Sequence, residues 1–195
     1  MASVKYIREA EDLRLLFLGI FEGEESARYT VNPALYAEIG SPKVGDELSS
    51  EQLSAVKYAD ELYRARKKAL SLLAFADNNE RNLRMKLSRA GFSREMAEGV
   101  CSEMVSLGYI NEKKQLERLI LTEANTKLRG PSKIVPALIS KGYSSSDIRE
   151  VMHRLVDLGE VDFKKNAKSL LEKKLPDASA EEKKKFLYKN GYKIC

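Results

Sequence analysis

An internal repeat of 51 residues limits what this chain can fold into. The stretch from Leu83 to Glu112, LRMKLSRAGFSREMAEGVCSEMVSLGYINE, returns without a gap from Ile134 to Phe163 as IVPALISKGYSSSDIREVMHRLVDLGEVDF. Leu83 falls on Ile134, Leu87 on Leu138, Gly91 on Gly142 and Phe92 on Tyr143; further on, Val100 falls on Val151, Met104 on Leu155, Leu107 on Leu158 and Gly108 on Gly159. Leu187, Gly191 and Tyr192 echo Leu87, Gly91 and Phe92 in a partial third copy. Self-similarity at this period marks a helical repeat array, in which each unit has a narrow apolar face that its neighbours cover. The expected fold class is mainly α: tandem three-helix repeats in an elongated, curved array, preceded by a small β-containing N-terminal module. The expected domains are residues 1–50 for that module, 51–110 for a linking helix and the first repeat, 111–159 for the second, and 160–195 for an incomplete third.

Caps and breakers set the element limits. Residues 12–21 and 26–31 favour strands around the turn Glu22-Gly23-Glu24-Glu25, which predicts a hairpin, and Asn32-Pro33 opens a short helix that Gly40 stops. From Ser49 or Ser50 a long helix carries Leu53, Val56, Ala59, Leu62, Tyr63, Ala69, Leu70 and Leu73 to about Ala76. Asp77-Asn78-Asn79 interrupts it; Asn79 is placed to cap the next helix and Gly91 to end that helix as a C′ glycine. Ser93 caps a third helix with Met96, Val100, Met104 and Leu107 on one face and Glu95, Glu98 and Glu103 pointing away. In the second repeat Asn111 precedes a helix through Leu116, Leu119, Ile120 and Leu128, broken at Arg129-Gly130-Pro131. A short helix with Ile134, Leu138 and Ile139 contains Pro136, which predicts a kink or a late start. Ser144 or Ser145 then caps a helix with Ile148, Val151, Met152, Leu155 and Leu158 inward. FKKNAKSLLEKKL, Pro176 and Ser179 restart the pattern, and Cys195 is reached before a counterpart of the third helix.

Charge is unevenly spread. Net charge is +5, yet residues 1–50 hold 5 basic and 9 acidic side chains, so the basic character belongs to the repeats. A positive surface along a repeat array favours phosphate backbones or an acidic protein partner. Cys101, Cys195 and the single histidine, His153, do not make an ordinary zinc site. No secretory signal, P-loop, paired metal carboxylates or Gly-rich nucleotide fingerprint is present, and no apolar run approaches ~18 residues. The expectations are a cytoplasmic monomer that is not an enzyme, needs no cofactor or metal and does not span a membrane.

ALSLLAFADNNERNLRMKLSRAGF, SLGYINE and LRGPSKIVPALISKGY together resemble the RecX family of recombination regulators, cytoplasmic bacterial proteins that act on the RecA recombinase. The likeness covers residues 66–163 well and 164–195 weakly; residues 1–65 resemble only a β-rich extension found in some members. Asn78, Asn79 and Asn82 stand where the family usually shows Arg-Ser and then Glu, Glu112 replaces the usual Asp, and the final helix is missing. What the resemblance implies is a non-catalytic modulator lying in the groove of a RecA-type filament on single-stranded DNA. Such a protein inhibits or tunes ATP turnover and strand exchange in homologous recombination, DNA repair and the SOS response. The alternative is a stand-alone DNA-binding protein whose helix pairs act as helix-turn-helix elements on duplex DNA.

The candidate contacts are basic. Arg84, Lys86 and Arg89 cluster on the second helix of the first repeat, and Lys127, Arg129, Lys133 and Lys141 flank or occupy the matching helix of the second. Contact with phosphates or with an acidic recombinase surface competes with the plainer reading of a solvated helix face. Gly130-Pro131-Ser132 opens a helix N-terminus able to take an anion. Phe92, Tyr109, Tyr143 and Tyr192, beside the repeat glycines, suit packing between repeats better than stacking on bases.

Overall fold

The computed structural model describes residues 2–10 and 15–193; residues 12–14 of the expected hairpin, and Cys195, lie outside the described residues. The chain forms two compact units, one of residues up to Ala76 with Arg84–Glu103, the other of Asp77–Leu83 with residues from Met104 onward.

In the first unit the expected hairpin is the centre of a larger sheet. β1 (Ala2–Ala10), β2 (Leu15–Glu22), β3 (Glu25–Val31) and β4 (Glu47–Leu48) form an antiparallel sheet in the order β3-β2-β1-β4. β1 and β4 escape a reading of the sequence because Lys5, Arg8 and Glu9 break the apolar alternation and β4 is only two residues long. Asn32 caps α1 (Pro33–Glu38), its side chain accepting from the Leu35 amide. The sheet packs Val4, Leu18, Ile20 and Val31 against Val56 and Ala59 of α2 (Ser50–Phe75). Asp60 of α2 accepts from the Thr30 amide at 2.9 Å, joining helix to strand. Ser49 caps α2 with a full capping box to Gln52.

α3 (Glu80–Arg89) and α4 (Arg94–Ser106) are followed by α5 (Glu112–Leu121), α6 (Pro131–Ser140), α7 (Ser145–Asp157), α8 (Phe163–Lys174) and α9 (Ala180–Lys189). α3, α6 and α9 end alike. In each, the aromatic after the glycine donates its amide to the leucine five residues back: Phe92 to Leu87, Tyr143 to Leu138 and Tyr192 to Leu187, at 3.1–3.3 Å. The glycine amide donates to the residue after that leucine, Ser88, Ile139 or Tyr188. This is a Schellman motif, and it needs the left-handed backbone that Gly91, Gly142 and Gly191 adopt, with φ of 96°, 95° and 89°. The repeated Leu-x-x-x-Gly-aromatic signature is therefore a helix stop.

The same turn corrects the expected cores. Leu107 and Leu158 are 60% and 65% exposed, not inward. They sit where the helix gives way to the left-handed glycine, and the buried side chains are Ile110 and Val161 just beyond it, whose amides fold back onto the Met104 and Leu155 carbonyls. Leu70 and Ile139 are exposed as well, while Ala65, Ala97 and Cys101 are buried. Glu103 does not point away; it accepts from Arg66 of α2 at 2.7 Å. The helix expected through Leu128 is α only to Leu121 and then widens into a π turn over Thr122–Thr126, which turns Glu123 and Ala124 inward. α6 runs unbroken through Pro136 and starts on time at Pro131.

In the second unit the core of the second repeat gathers Leu116, Ile120, Ile134, Leu138, Ile148, Val151 and Leu155. A smaller cluster under the third gathers Leu128, Leu170 and Tyr192. Leu138 is fully buried, so Leu138→Ala is expected to lower stability by about 2–5 kcal/mol. Leu158→Ala, at an aligned and equally apolar position, is expected to change it by less than about 0.5 kcal/mol. Urea titrations of the two variants measure the difference.

Candidate polyanion-binding surfaces

On α3 the basic side chains face α4. Arg84 lies 3.9 Å from Glu98, and Arg94 donates to the same carboxylate at 3.0 Å. With Met85, Ser88 and the exposed Arg89 they line a shallow depression of about 430 Å³. Three guanidinium groups thus surround one carboxylate, an excess of positive charge suited to phosphate oxygens. Arg94 was not among the expected contacts because it has no basic counterpart in the second repeat, where Ser145 takes its place.

The second cluster divides in two. Lys127 and Arg129 both donate to Glu123 at 2.6 Å, and the Glu123 side chain is 5% exposed. Burial alone would raise its pKa; the hydrogen bonds and charges of Lys127 and Arg129 outweigh that and hold it below the usual carboxylate range. These two cations are thereby committed to the π turn. Lys133, on the first turn of α6, and Lys141, at its C-cap, are exposed.

The α6 N-terminus expected to take an anion is already occupied. The Gly130 amide donates to the Asn190 carbonyl at 2.8 Å and the Ser132 amide to the Gly191 carbonyl at 3.1 Å, so the α9 C-terminus sits on the donors. A Cβ on Gly130 would lie 2.3 Å from the Gly191 oxygen, which explains the glycine. The α3 N-terminus repeats the arrangement with side chains: Asn79 and Asn82 donate to the Lys141 carbonyl at 2.9 and 2.8 Å, and Glu112 accepts from the Glu80 amide at 2.9 Å. The asparagines and Glu112 that depart from the family pattern are therefore contacts between repeats. A run of polar residues with poor helix propensity just before a helix was the only sign of them.

The aromatics also separate. The buried Tyr143 donates to Gln115, which donates to the Asn78 carbonyl at 3.2 Å, and the buried Tyr192 donates to the Leu128 carbonyl at 3.0 Å. Burial pushes both phenols up to about 12, so each remains a donor at neutral pH. Phe92 is half-buried, and Tyr109 is exposed. Among the described residues no group of His, Cys, Asp and Glu is arranged to hold a metal ion, and no helix is long and apolar enough to cross a membrane.

A small antiparallel sheet followed by Schellman-closed helices docked end to end defines a tandem helical-repeat protein. No protein-family model matches the sequence. The regulatory protein RecX of Clostridioides difficile is 31% identical over 148 residues, 75% of this chain and 68% of that protein. The same-named protein of Bacillus cytotoxicus is 27% identical over 153 residues, so the chain spans only 55% of that longer relative. A crystal structure of a regulatory protein RecX shares the fold with a TM-score of 0.75 at 20% identity, covering 99% of this chain and 95% of that one. RecX of Lactobacillus salivarius gives 0.61 at 21%, over 70% of this chain and 91% of that one. The chain belongs to the RecX family of regulatory proteins.

Glu123 makes stability depend on pH with a definite sign. Its folded-state pKa is depressed, so its contribution is complete above the ordinary carboxylate range and is lost as pH falls through the folded value. Glu123→Gln is expected to be about 1–3 kcal/mol less stable at neutral pH and to lack that acid limb, as urea denaturation across a pH series would show.

Proposed function

We propose that the protein is a non-catalytic modulator that binds a RecA-type recombinase filament on single-stranded DNA and inhibits its ATP turnover and strand exchange. On this reading it acts as a cytoplasmic monomer, without a cofactor, in homologous recombination, DNA repair and the SOS response. The observation that carries the proposal is family membership, joined to the repeat motifs whose resemblance implies the recombinase as target. The surface chemistry supports it: Arg84, Arg89, Lys133 and Lys141 present charge on α3 and α6, the helices at matching positions in successive repeats. We assign contact with phosphates or acidic recombinase side chains to these four and to Lys86. Lys127 and Arg129 act through the fold, by holding Glu123.

The test is recombinase ATP turnover on single-stranded DNA at several salt concentrations, paired with thermal melts. Arg84→Ala/Lys86→Ala/Arg89→Ala and Lys133→Ala/Lys141→Ala are each expected to weaken inhibition and leave the melt within ~0.5 kcal/mol of the parent. Each lost contact to single-stranded phosphate is expected to flatten the log–log salt dependence of binding by about 0.7. Lys127→Ala/Arg129→Ala is expected to lower the melt instead. Undiminished inhibition by both surface variants at every salt would show the basic residues to be a solvated face. Sequence-selective duplex binding without recombinase would move the protein to the helix-turn-helix class.

A further inference from the structure

In the second repeat, α7 covers α5. Ile148, Val151, Met152 and Leu155 share a core with Leu116, Leu138 and Tyr143, and two ion pairs flank it, Lys113 to Glu150 at 3.4 Å and Arg154 to Glu117. The repeat sets α8 in the place of α5: Lys164 matches Lys113, Ala167 matches Leu116 and Lys168 matches Glu117. Leu187 and Tyr192 likewise match Leu138 and Tyr143. Among the described residues no helix takes the place of α7 on α8. An open groove of about 940 Å³ lies there, and Lys164, Ala167, Leu187 and Tyr192 are among the residues lining it. Val135, Val156 and Phe163 extend its apolar floor, and Arg149, His153 and Lys193 stand on its rim.

We propose that this groove receives one amphipathic helix from a partner protein, apolar at i, i+3, i+4 and i+7 and acidic on both flanks. The apolar spacing is that of Ile148, Val151, Met152 and Leu155, the residues that fill the equivalent space one repeat earlier. The flanks follow from charge. Lys164 keeps the demand for an acid that Lys113 makes on Glu150, whereas Lys168, in place of Glu117, reverses the demand that Arg154 satisfies. Lys168 is 81% exposed and pairs only loosely with Glu172, at 3.9 Å. A second copy of the chain is a poor occupant. The exposed apolar helix end at Leu70 and Phe75 follows Lys67 and Lys68, so it would bring like charge to a basic rim.

The probe is a labelled peptide with the α7 sequence, Ser144–Leu158, carrying Arg154→Glu, titrated with the full chain. The acidic peptide is expected to bind about tenfold more tightly than the unaltered sequence, and less tightly as salt rises. Val156→Glu, at a position already 41% exposed, is expected to abolish binding with the thermal melt unchanged. Lys164→Glu/Lys168→Glu is expected to reverse the preference between the two peptides, a result that loss of folding cannot imitate. Absence of binding by the acidic peptide, or binding indifferent to Val156→Glu, overturns the proposal. So does a parent protein that sedimentation shows to be a dimer and that Val156→Glu converts to a monomer, because the occupant is then a second copy. No recombinase is present in this assay, so its outcome is separate from that of the inhibition test.

Discussion

Helix ends that leave backbone groups without partners govern the second unit of this protein. An α-helix presents bare carbonyls at its C-terminus and bare amides at its N-terminus, and burying either without a partner costs on the order of a hydrogen bond or more. Here the two deficits are matched. The last carbonyls of α9 meet the first amides of α6, and the Lys141 carbonyl ending α6 meets the asparagine side chains that open α3. Opposite ends of the helix dipoles are thereby brought together, which adds a modest electrostatic attraction. The left-handed glycine is the precondition, since it lifts the aromatic residue and the terminal carbonyl out of the helix path towards the next helix.

Between the repeats the same task is done with different atoms. At the junction of the second and third repeats, backbone amides of Gly130 and Ser132 donate directly, and a side chain on Gly130 would collide with Gly191. One repeat earlier, Asn79 and Asn82 bridge a wider gap through their side-chain amides. The hydroxyls behave in parallel: Tyr192 reaches the Leu128 carbonyl itself, whereas Tyr143 reaches the Asn78 carbonyl by way of Gln115. Asn166, which matches Gln115, donates to the Ala124 carbonyl at 3.0 Å. Polar satisfaction is conserved in geometry and free in residue type, and this is why departures from the family motif at these asparagines leave the junction intact.

The basic residues sort by what they touch. Charge on a helix face is available for a partner only where the fold makes no use of it. Glu123 is turned inward by the π turn and stays ionised because Lys127 and Arg129 surround it, so those cations are structural. Lys133 and Lys141 lie on the same helix-turn stretch and are exposed. On α3 and α4 a single carboxylate, Glu98, is shared between Arg84 and Arg94, which leaves the local charge positive.

The repeat, its helices, their caps and their glycine stops were legible in the chain because they depend on local chemistry. Asn32, Ser49, Ser144 and Ser179 cap the helices they precede, and Gly91, Gly142 and Gly191 stop theirs. Family membership was legible for the same reason, since Leu-x-x-x-Gly-aromatic and Arg-Gly-Pro are contiguous signals. Only the tertiary structure decided which apolar residues are inside, as Leu107 and Leu158 yield to Ile110 and Val161 once the chain turns at glycine. It alone added β1 and β4, whose pairing is set by distant strands, and turned Glu123 inward through a π turn that helical periodicity does not signal. Whether a lysine is bound or available, and whether an asparagine is a loop residue or a clamp, depends on residues ~50 positions away, beyond the reach of any local pattern.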